Sequence, residues 1–493
     1  MEEKGLLSLI IKRSRLVLAA LPRGALIGGL AAAAVVGAGG WRYARLVDGP
    51  TMAKLKPTTR GLMLRDYLQH ALCDSSSGYF SRPVLQRVKR PPRFSSLGGE
   101  PEYRELCRDL YGAGCWATPS ELFQPYYAEA IGRSILERHR KLYGTCEPLQ
   151  LVELGGGHGT NAEGILRWLS RDEPEVFGRC RYLLYEVSPL LAQAQQERLS
   201  AAGLPPERFE VRAARPHFPV SSSDGKSAEG LLARHDGPWW VIALELLDNL
   251  AHDKLRLRPC GEEIELLEAR VHPTEHPNED HGGSGGGWIE ELHPLSDPTL
   301  AETAKLIGVD TYEGISEMQR AMLPPHQAGS LGGSLFGGLQ QSLHQMLRLV
   351  DSAVDVYVPT GAWLLLQNLA RAFPEHQLTL ADFNWLELQP DGGVNAPVVQ
   401  RQRGPKTYDL GGDYLLAPGE ADVIFPTHFE SIAALHAATM QGKGPPAQIW
   451  STAEFMNRYA ELSSTRTLSG YNPLVEDFTN TAFMITGGAH QAL

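Results

Sequence analysis

At 493 residues the chain has room for one large α/β domain with insertions or for two domains. Hydrophobic residues at 43% and charged residues at 21% are ordinary for a globular protein, and a net charge of -11 argues against a general nucleic-acid surface while leaving room for a local basic patch. Six cysteines (Cys73, Cys107, Cys115, Cys146, Cys180 and Cys260) lack CxxC or Cys/His ligand spacing, so they read as reduced packing residues, with neither a disulfide framework nor a zinc site expected.

The first fifty residues differ from the rest. Lys12, Arg13, Arg15 and Arg23 precede an uncharged Ala- and Gly-rich stretch, Gly24 to Trp41, and Arg42 and Arg45 follow it. A bilayer span needs about 17–25 apolar residues, so this stretch is borderline. Gly24 and Gly28 give a small-xxx-small spacing suited to packing against another membrane helix. Three readings compete: a mitochondrial presequence, weakened by Glu2 and Glu3, a single membrane anchor, and a disordered leader. An organellar N-terminus is favoured.

The body begins near Thr58, where Leu62, Leu64, Tyr67, Leu68 and Leu72 recur at helical spacing. A second helix is expected from Glu121 through "ELFQPYYAEAIGRSILERHRKLYG", with Thr118, Pro119 and Ser120 as its start signal. Then the pattern changes. "LQLVEL", "RYLLYEV" (Arg181 to Val187) and "WWVIALEL" (Trp239 to Leu246) read as buried strands, and "QLTLADF" (Gln377 to Phe383) follows the helix "AWLLLQNLARAF". Strands alternating with helices predict a doubly wound, mostly parallel sheet. His272 to Trp288 and Leu323 to Gln341 are Gly-rich and read as loops, the second able to fold over a cleft. The late stretch from Gly393 to Pro426 reads as antiparallel strands flanking the cleft, with Arg401, Arg403 and Lys406 solvated.

"LVELGGGHGT", from Leu151, places four glycines within five residues at a strand's end. Backbone without Cβ atoms lets a ligand approach, and the next helix offers its free N–H groups. The pattern is Glu153-x-Gly155-x-Gly157-x-Gly159, with Thr160 where the third glycine of a dinucleotide fingerprint would stand. This spacing disfavours a nicotinamide-dependent oxidoreductase and resembles motif I of the class I S-adenosylmethionine methyltransferases. A tight structural turn is the bland alternative. Glu186, ending the next strand, is placed to accept both ribose hydroxyls of an adenosine.

"VELGGGHGT", "YEVSPLLAQAQ", "GYF", "ATPSELFQPYYAEAIG" and "ELLDNLAHDKL" together resemble the MidA family, from roughly Arg60 to Leu435. Several segments, among them "VPTGAWLLL", "ADFNWL" and "ADVIFPTHFE", look closer to a divergent eukaryotic branch. The mitochondrial members resemble protein arginine methyltransferases that assist assembly of respiratory complex I. The resemblance implies a class I methyltransferase fold with an N-terminal helical extension, inserted loops and a C-terminal antiparallel β region. It implies S-adenosylmethionine as cofactor, a protein substrate and a mitochondrial location, matrix or matrix-facing inner membrane. Glu153, Gly155, Gly157, Gly159 and Glu186 would bind the cofactor, with Thr118 and Glu121 bordering the same cleft. Glu245 and Asp248 match the acidic strand-four motif and would orient a substrate guanidinium. Leu244 stands where the better-known members carry Asn, Ala251 where they carry Pro, and Gly156 and His158 replace the usual motif I Pro and Arg. These departures bear on substrate identity more than on cofactor binding.

The expected organisation is a leader (1–57), an N-terminal helical lid region (58–148), a cofactor-binding core (149–260), an insertion (261–350) and a C-terminal completion of the sheet (351–493). His252 and Asp253 are a weak candidate for a general-base dyad; Asp248 is otherwise a helix N-cap, and Asp382 a pocket wall or a solvent cap. Trp239 and Trp240 read as core, and Tyr126 and Tyr127 as packing or an adenine roof. The alternative to an enzyme is a catalytically silent assembly subunit tethered to a membrane through residues 24–41.

Overall fold

The computed structural model describes residues 61–487, apart from 75, 83, 85–86, 89–90, 112–117, 214–231, 261–262, 274–286, 323–352, 387–392, 404–405 and 443–445. The leader, the stretch 24–41 and the second Gly-rich loop therefore lie outside the described residues. Among the described residues no helix is long and apolar enough to cross a membrane.

In chain order the strands are β1 (Leu62–Met63), β2 (Gln150–Leu154), β3 (Arg181–Glu186), β4 (Phe209–Ala213) and β5 (Pro238–Leu244). Next come β6 (Asp253–Cys260), β7 (Glu263–Pro273), β8 (Trp288–Pro294) and β9 (Val354–Val358). The last are β10 (Glu375–Phe383), β11 (Val398–Arg403), β12 (Lys406–Asp409), β13 (Asp422–Ile424), β14 (Gln448–Ser451) and β15 (Thr481–Ile485). They build three sheets.

The central one has seven strands in the order β14-β15-β10-β5-β2-β3-β4. From β4 to β10 all neighbours are parallel, while β15 and β14 run antiparallel. Its residues alternate between two cores. Leu151, Tyr182, Leu184, Trp240 and Ile242 face the helices Tyr126–Tyr143 and Thr160–Asp172. Val152, Leu183, Tyr185, Trp239, Val241, Leu378 and Leu380 face the helices Thr360–Ala372 and Phe429–Thr439. Burial on both faces is why the strands read as unbroken apolar runs. Trp239 and Trp240 are core, as expected.

The second sheet, β1-β7-β6-β9 with β8 added on β7, is wholly antiparallel, and all of its strands but β1 lie between β5 and β10 in the chain. Strand β6, assigned from sequence to the cofactor-binding core, pairs instead with β7 and β9. The third, β12-β11-β13, occupies the stretch expected to form antiparallel strands. Arg401 departs from its expectation: it is buried and ion-paired with Glu420 at 2.8 Å.

The helix expected from Glu121 is two, Pro119–Leu122 and Tyr126–Tyr143. Pro125 separates them because it has no N–H to donate and its ring crowds the preceding turn.

Candidate active site

Glu153, Glu186, Glu245, Asp248 and Asp382 sit at or just beyond the carboxyl ends of the parallel strands, where doubly wound sheets bind ligands. β2 ends at Leu154, and the Gly155 N–H donates to the Tyr185 carbonyl at 2.9 Å, so the turn leaves the sheet in register. Gly155, Gly157 and Gly159 have φ of 65°, 52° and 77°. L-residues with a Cβ avoid this left-handed region. A Cβ at Gly155 would stand 3.0 Å from Leu246 Cδ1, and one at Gly159 3.3 Å from Gln195 Cγ. Gly159 also caps the helix Thr160–Asp172, whose first N–H groups open toward the turn.

Glu153 lies beneath this turn. Its carboxylate accepts from Asn161 Nδ2 at 3.0 Å and from the Tyr182 hydroxyl at 2.8 Å. Burial raises it to about 7. Glu186 is buried at the end of β3 and accepts from the Ser188 N–H and from Gln195 Nε2, each at 3.0 Å. The same Gln195 nitrogen donates to the Gly157 carbonyl at 2.9 Å, which ties Glu186 to the glycine turn. Burial lifts Glu186 to about 7 as well. Ser188 Oγ and Gln195 Oε1 beside it are buried without a hydrogen-bond partner. A bare turn, an acid and idle polar atoms together fit an adenosyl ligand with vicinal hydroxyls.

Thr118 caps the short helix Pro119–Leu122 by accepting from the Glu121 N–H at 3.3 Å. The Glu121 carboxylate accepts from the Val88 N–H at 2.9 Å, from Arg198 Nη1 at 3.3 Å and, closely, from the Thr160 hydroxyl. It thus bolts the N-terminal block onto the first residue of the glycine-turn helix and onto the helix Pro189–Ala201. His158, in the same neighbourhood, is held below the ordinary imidazole range by burial.

Beyond β5 four carboxylates converge. Glu245 has φ 51°, a strained value for a side chain of its size. Its N–H donates to the Ala381 carbonyl at 2.8 Å, which sets it beside the end of β10. Its half-buried carboxyl takes no hydrogen bond among the described residues, and burial, then Asp382, lifts it to about 8. Asp248 is buried with Oδ1 unpartnered; burial, then Asp382, Asp422 and Glu245, push it well above the carboxylate range. It caps no helix: it lies inside the turn Leu247–Asn249, and Leu246 precedes that turn.

The capping is done by Asp382. Its Oδ2 accepts from the N–H groups of Leu246, Leu247 and Asp248 at 3.1, 2.7 and 3.3 Å, and Oδ1 from Phe383 at 2.8 Å. The solvent cap weighed from sequence is therefore a fully buried one, and burial lifts Asp382 to about 7. Asp422 accepts from Asn249 Nδ2 at 2.9 Å and is raised to about 7 by burial. Tyr127 feels the charge of Glu245 and Asp382 and packs in the core, 6.1 Å between ring centroids from Phe483.

The His252–Asp253 dyad does not form. His252 stacks on Phe425 at 4.0 Å and bonds to the Leu250 carbonyl at 2.8 Å. Asp253 turns the other way and accepts from Arg65 Nη1 and the Thr360 hydroxyl, both at 2.7 Å. Asp253 opens β6 and His252 immediately precedes it, and adjacent residues of an extended chain point to opposite sides, which is the physical reason. Sequence reading missed Asp422, Gln195 and Arg198. Asp422 carried no local signal, whereas Gln195 and Arg198 lie within a helix whose apolar spacing is weak.

A parallel sheet of this order, a glycine turn after its first strand and an acid ending the second define the class I S-adenosylmethionine-dependent methyltransferase fold. Residues 130–445 match the family model described as "Putative S-adenosyl-L-methionine-dependent methyltransferase", and the chain belongs to that family, of MidA type. S-adenosylmethionine is the cofactor this assigns. The chain is similar, 33% identical over 161 residues, to the "Protein arginine methyltransferase NDUFAF7 homolog, mitochondrial" of Drosophila melanogaster, covering 30% of this chain and 34% of that protein. It is 21% identical over 344 residues to the protein of the same name from Schizosaccharomyces pombe, covering 68% of this chain and 66% of that protein. The matches thus span about one third and just under two thirds of those relatives' lengths. A crystal structure from Burkholderia thailandensis, solved with S-adenosyl-homocysteine bound, shares the fold at 15% identity and TM-score 0.52, over 88% of this chain and 89% of that one.

Proposed function

We propose that the chain transfers a methyl group from S-adenosylmethionine to an arginine side chain of a protein in mitochondria, in support of respiratory complex I assembly. The observation that carries the arginine reading is the carboxylate cluster of Glu245, Asp248, Asp382 and Asp422 at the ends of β5 and β10, which no described cation neutralises. The names of the fly and yeast relatives support the same substrate and location.

The roles follow from the residues. Gly155, Gly157 and Gly159 leave room for the methionine and ribose end, and Glu186 accepts the ribose hydroxyls. The bound cofactor supplies an electrophilic methyl on a sulfonium. A guanidinium is a permanent cation with five donors, and Glu245 and Asp248 hold it by paired N–H bonds. Its charge also restores both acids to their ionised form. Asp382 fixes the turn that carries Asp248. When the guanidinium nitrogen gains a methyl it sheds one proton, and the ionised Glu245 is the group placed to accept it.

Calorimetric titration of the purified full chain with S-adenosylmethionine tests the cofactor, and mass spectrometry of mitochondrial proteins with and without the chain tests the substrate. Saturable binding and a methyl mark missing from arginine are expected. Absence of binding removes the enzyme altogether; a mark missing from lysine instead removes the arginine assignment.

A further inference from the structure

We propose that His272, Glu291 and His293 bind a divalent transition-metal ion, zinc by preference, on the β7–β8 hairpin of the inserted sheet. In this hairpin Arg270 lies opposite Glu291, His272 opposite Ile289 and Glu268 opposite His293. Opposed residues share a face and alternate residues return to it, so His272, Glu291 and His293 all stand on one side. Glu291 Oε2 is 3.4 Å from His272 Nε2 and 3.6 Å from His293 Nε2, and the three donor atoms lie within 4.8 Å of one another. Neither contact is a hydrogen bond. Both Nε2 atoms are closed off from solvent without a hydrogen-bond partner. Two imidazole nitrogens converging on one carboxylate, each leaving its bond unmade, call for a shared third party.

The distances suit an ion. Donors around a tetrahedral zinc at 2.0–2.1 Å stand about 3.3 Å apart, and two nitrogens plus one carboxylate oxygen are a known zinc set that keeps water as its fourth ligand. Imidazole and carboxylate favour zinc, cobalt or nickel over magnesium or calcium. The surroundings agree. A Cβ at Gly61 would lie 2.5 Å from His272 Nε2, so only a glycine leaves that nitrogen clear. Arg270, opposite Glu291, is engaged by Glu268 through a 2.8 Å bond, which leaves the charge of Glu291 for the ion. Glu291 is half exposed, giving the ion and its water a way in. The bound ion would pin edge strand β8 to β7. Spacing in the sequence hid this set because its members lie on two strands, beyond the reach of a local motif.

The test uses the full chain without an affinity tag, stripped of metal and titrated with zinc chloride by calorimetry. One ion per chain is expected, removed by chelator. Cobalt in its place gives the visible bands of a tetrahedral site. His293→Ala and Glu291→Gln each lower zinc affinity at least tenfold while the far-ultraviolet dichroism stays unchanged. Binding that survives His272→Ala/His293→Ala overturns the proposal, as does no binding at all, which would leave a Glu–His ion pair only. Because His293 is one-third exposed at a sheet edge, its single variant is the one that keeps folding out of the result.

Discussion

Glu245 joins a costly backbone conformation to an unpartnered carboxyl. Strain of this kind persists where the surroundings over-determine it, and it clusters at functional sites. The charge has a thermodynamic sign. A carboxyl whose folded-state pKa lies above its unfolded value binds extra protons in the folded state, so stability is greatest below about 4.5 and falls as pH rises toward the folded value, here about 8. Glu245→Gln removes that loss. Urea melts of the ligand-free protein should show the variant about 1–2 kcal/mol more stable at pH 8 and little changed at pH 5, with methyl transfer lower by at least tenfold. Equal stability of the two proteins at pH 8 would contradict a raised Glu245. At the end of β3, Glu186→Ala frees Gln195 from one of its two partners and removes the proposed ribose acceptor. Cofactor affinity should drop by roughly tenfold or more in an equilibrium titration.

Among the elements, the turn Leu246–Asn249 depends on a residue far along the chain. Asp382 closes four backbone N–H groups that would otherwise be orphaned in the interior. Asp382→Ala should therefore cost about 2–4 kcal/mol by chemical denaturation and abolish transfer, whereas Asp382→Asn, which keeps acceptors, should cost less. A denaturation midpoint unmoved by Asp382→Ala would remove the capping role. This turn also marks where sequence reading stops. Glycine spacing and apolar runs located β2, β3, β5 and β10 because both faces of a parallel sheet are buried. β7, with Glu263, Glu265 and Glu268 among its leucines, carries helix-forming residues, and its strand conformation comes from β6 and β8 on either side. Pro125 did hold the signal for a broken helix, but the strong apolar spacing around it dominated. The acids at the ends of β3 and β5 were legible because strand and acid adjoin in sequence; Asp422 arrives from the third sheet, and nothing local announces it.

Taken whole, the molecule fastens its N-terminal block to the insertion. β1 pairs with β7, and Leu64, Tyr67, Leu68 and Leu72 of the following helix are buried against Tyr357, Tyr414 and Phe425. Arg65 bridges Asp253 and Asp297 at 2.7 and 2.8 Å. Removing residues through Cys73 would uncover this core, so a chain starting after it should be insoluble or melt at least several degrees lower in a thermal scan, even though no candidate site residue has been lost. A truncated chain with an unchanged melting temperature would mean that the block is a loose appendage. Of the central sheet, the four parallel strands β2, β3, β5 and β10 were legible as apolar runs, whereas β4, β14 and β15 were not named from the sequence.

The insertion of four antiparallel strands, β6 to β9, between β5 and β10 has a kinetic side. Pro238 pairs with Glu375, so hydrogen-bonded neighbours in the middle of the sheet are separated by well over a hundred residues. The entropy of closing a loop grows only slowly with its length, but folding rates fall as contacts become less local. Until β10 arrives, the newly made edge of β5, with Trp239, Trp240, Val241 and Ile242, is open to pairing with other chains. The order in which the strands are connected thus predicts refolding slower than that of a sheet joined by short crossovers, to be read in a stopped-flow refolding experiment.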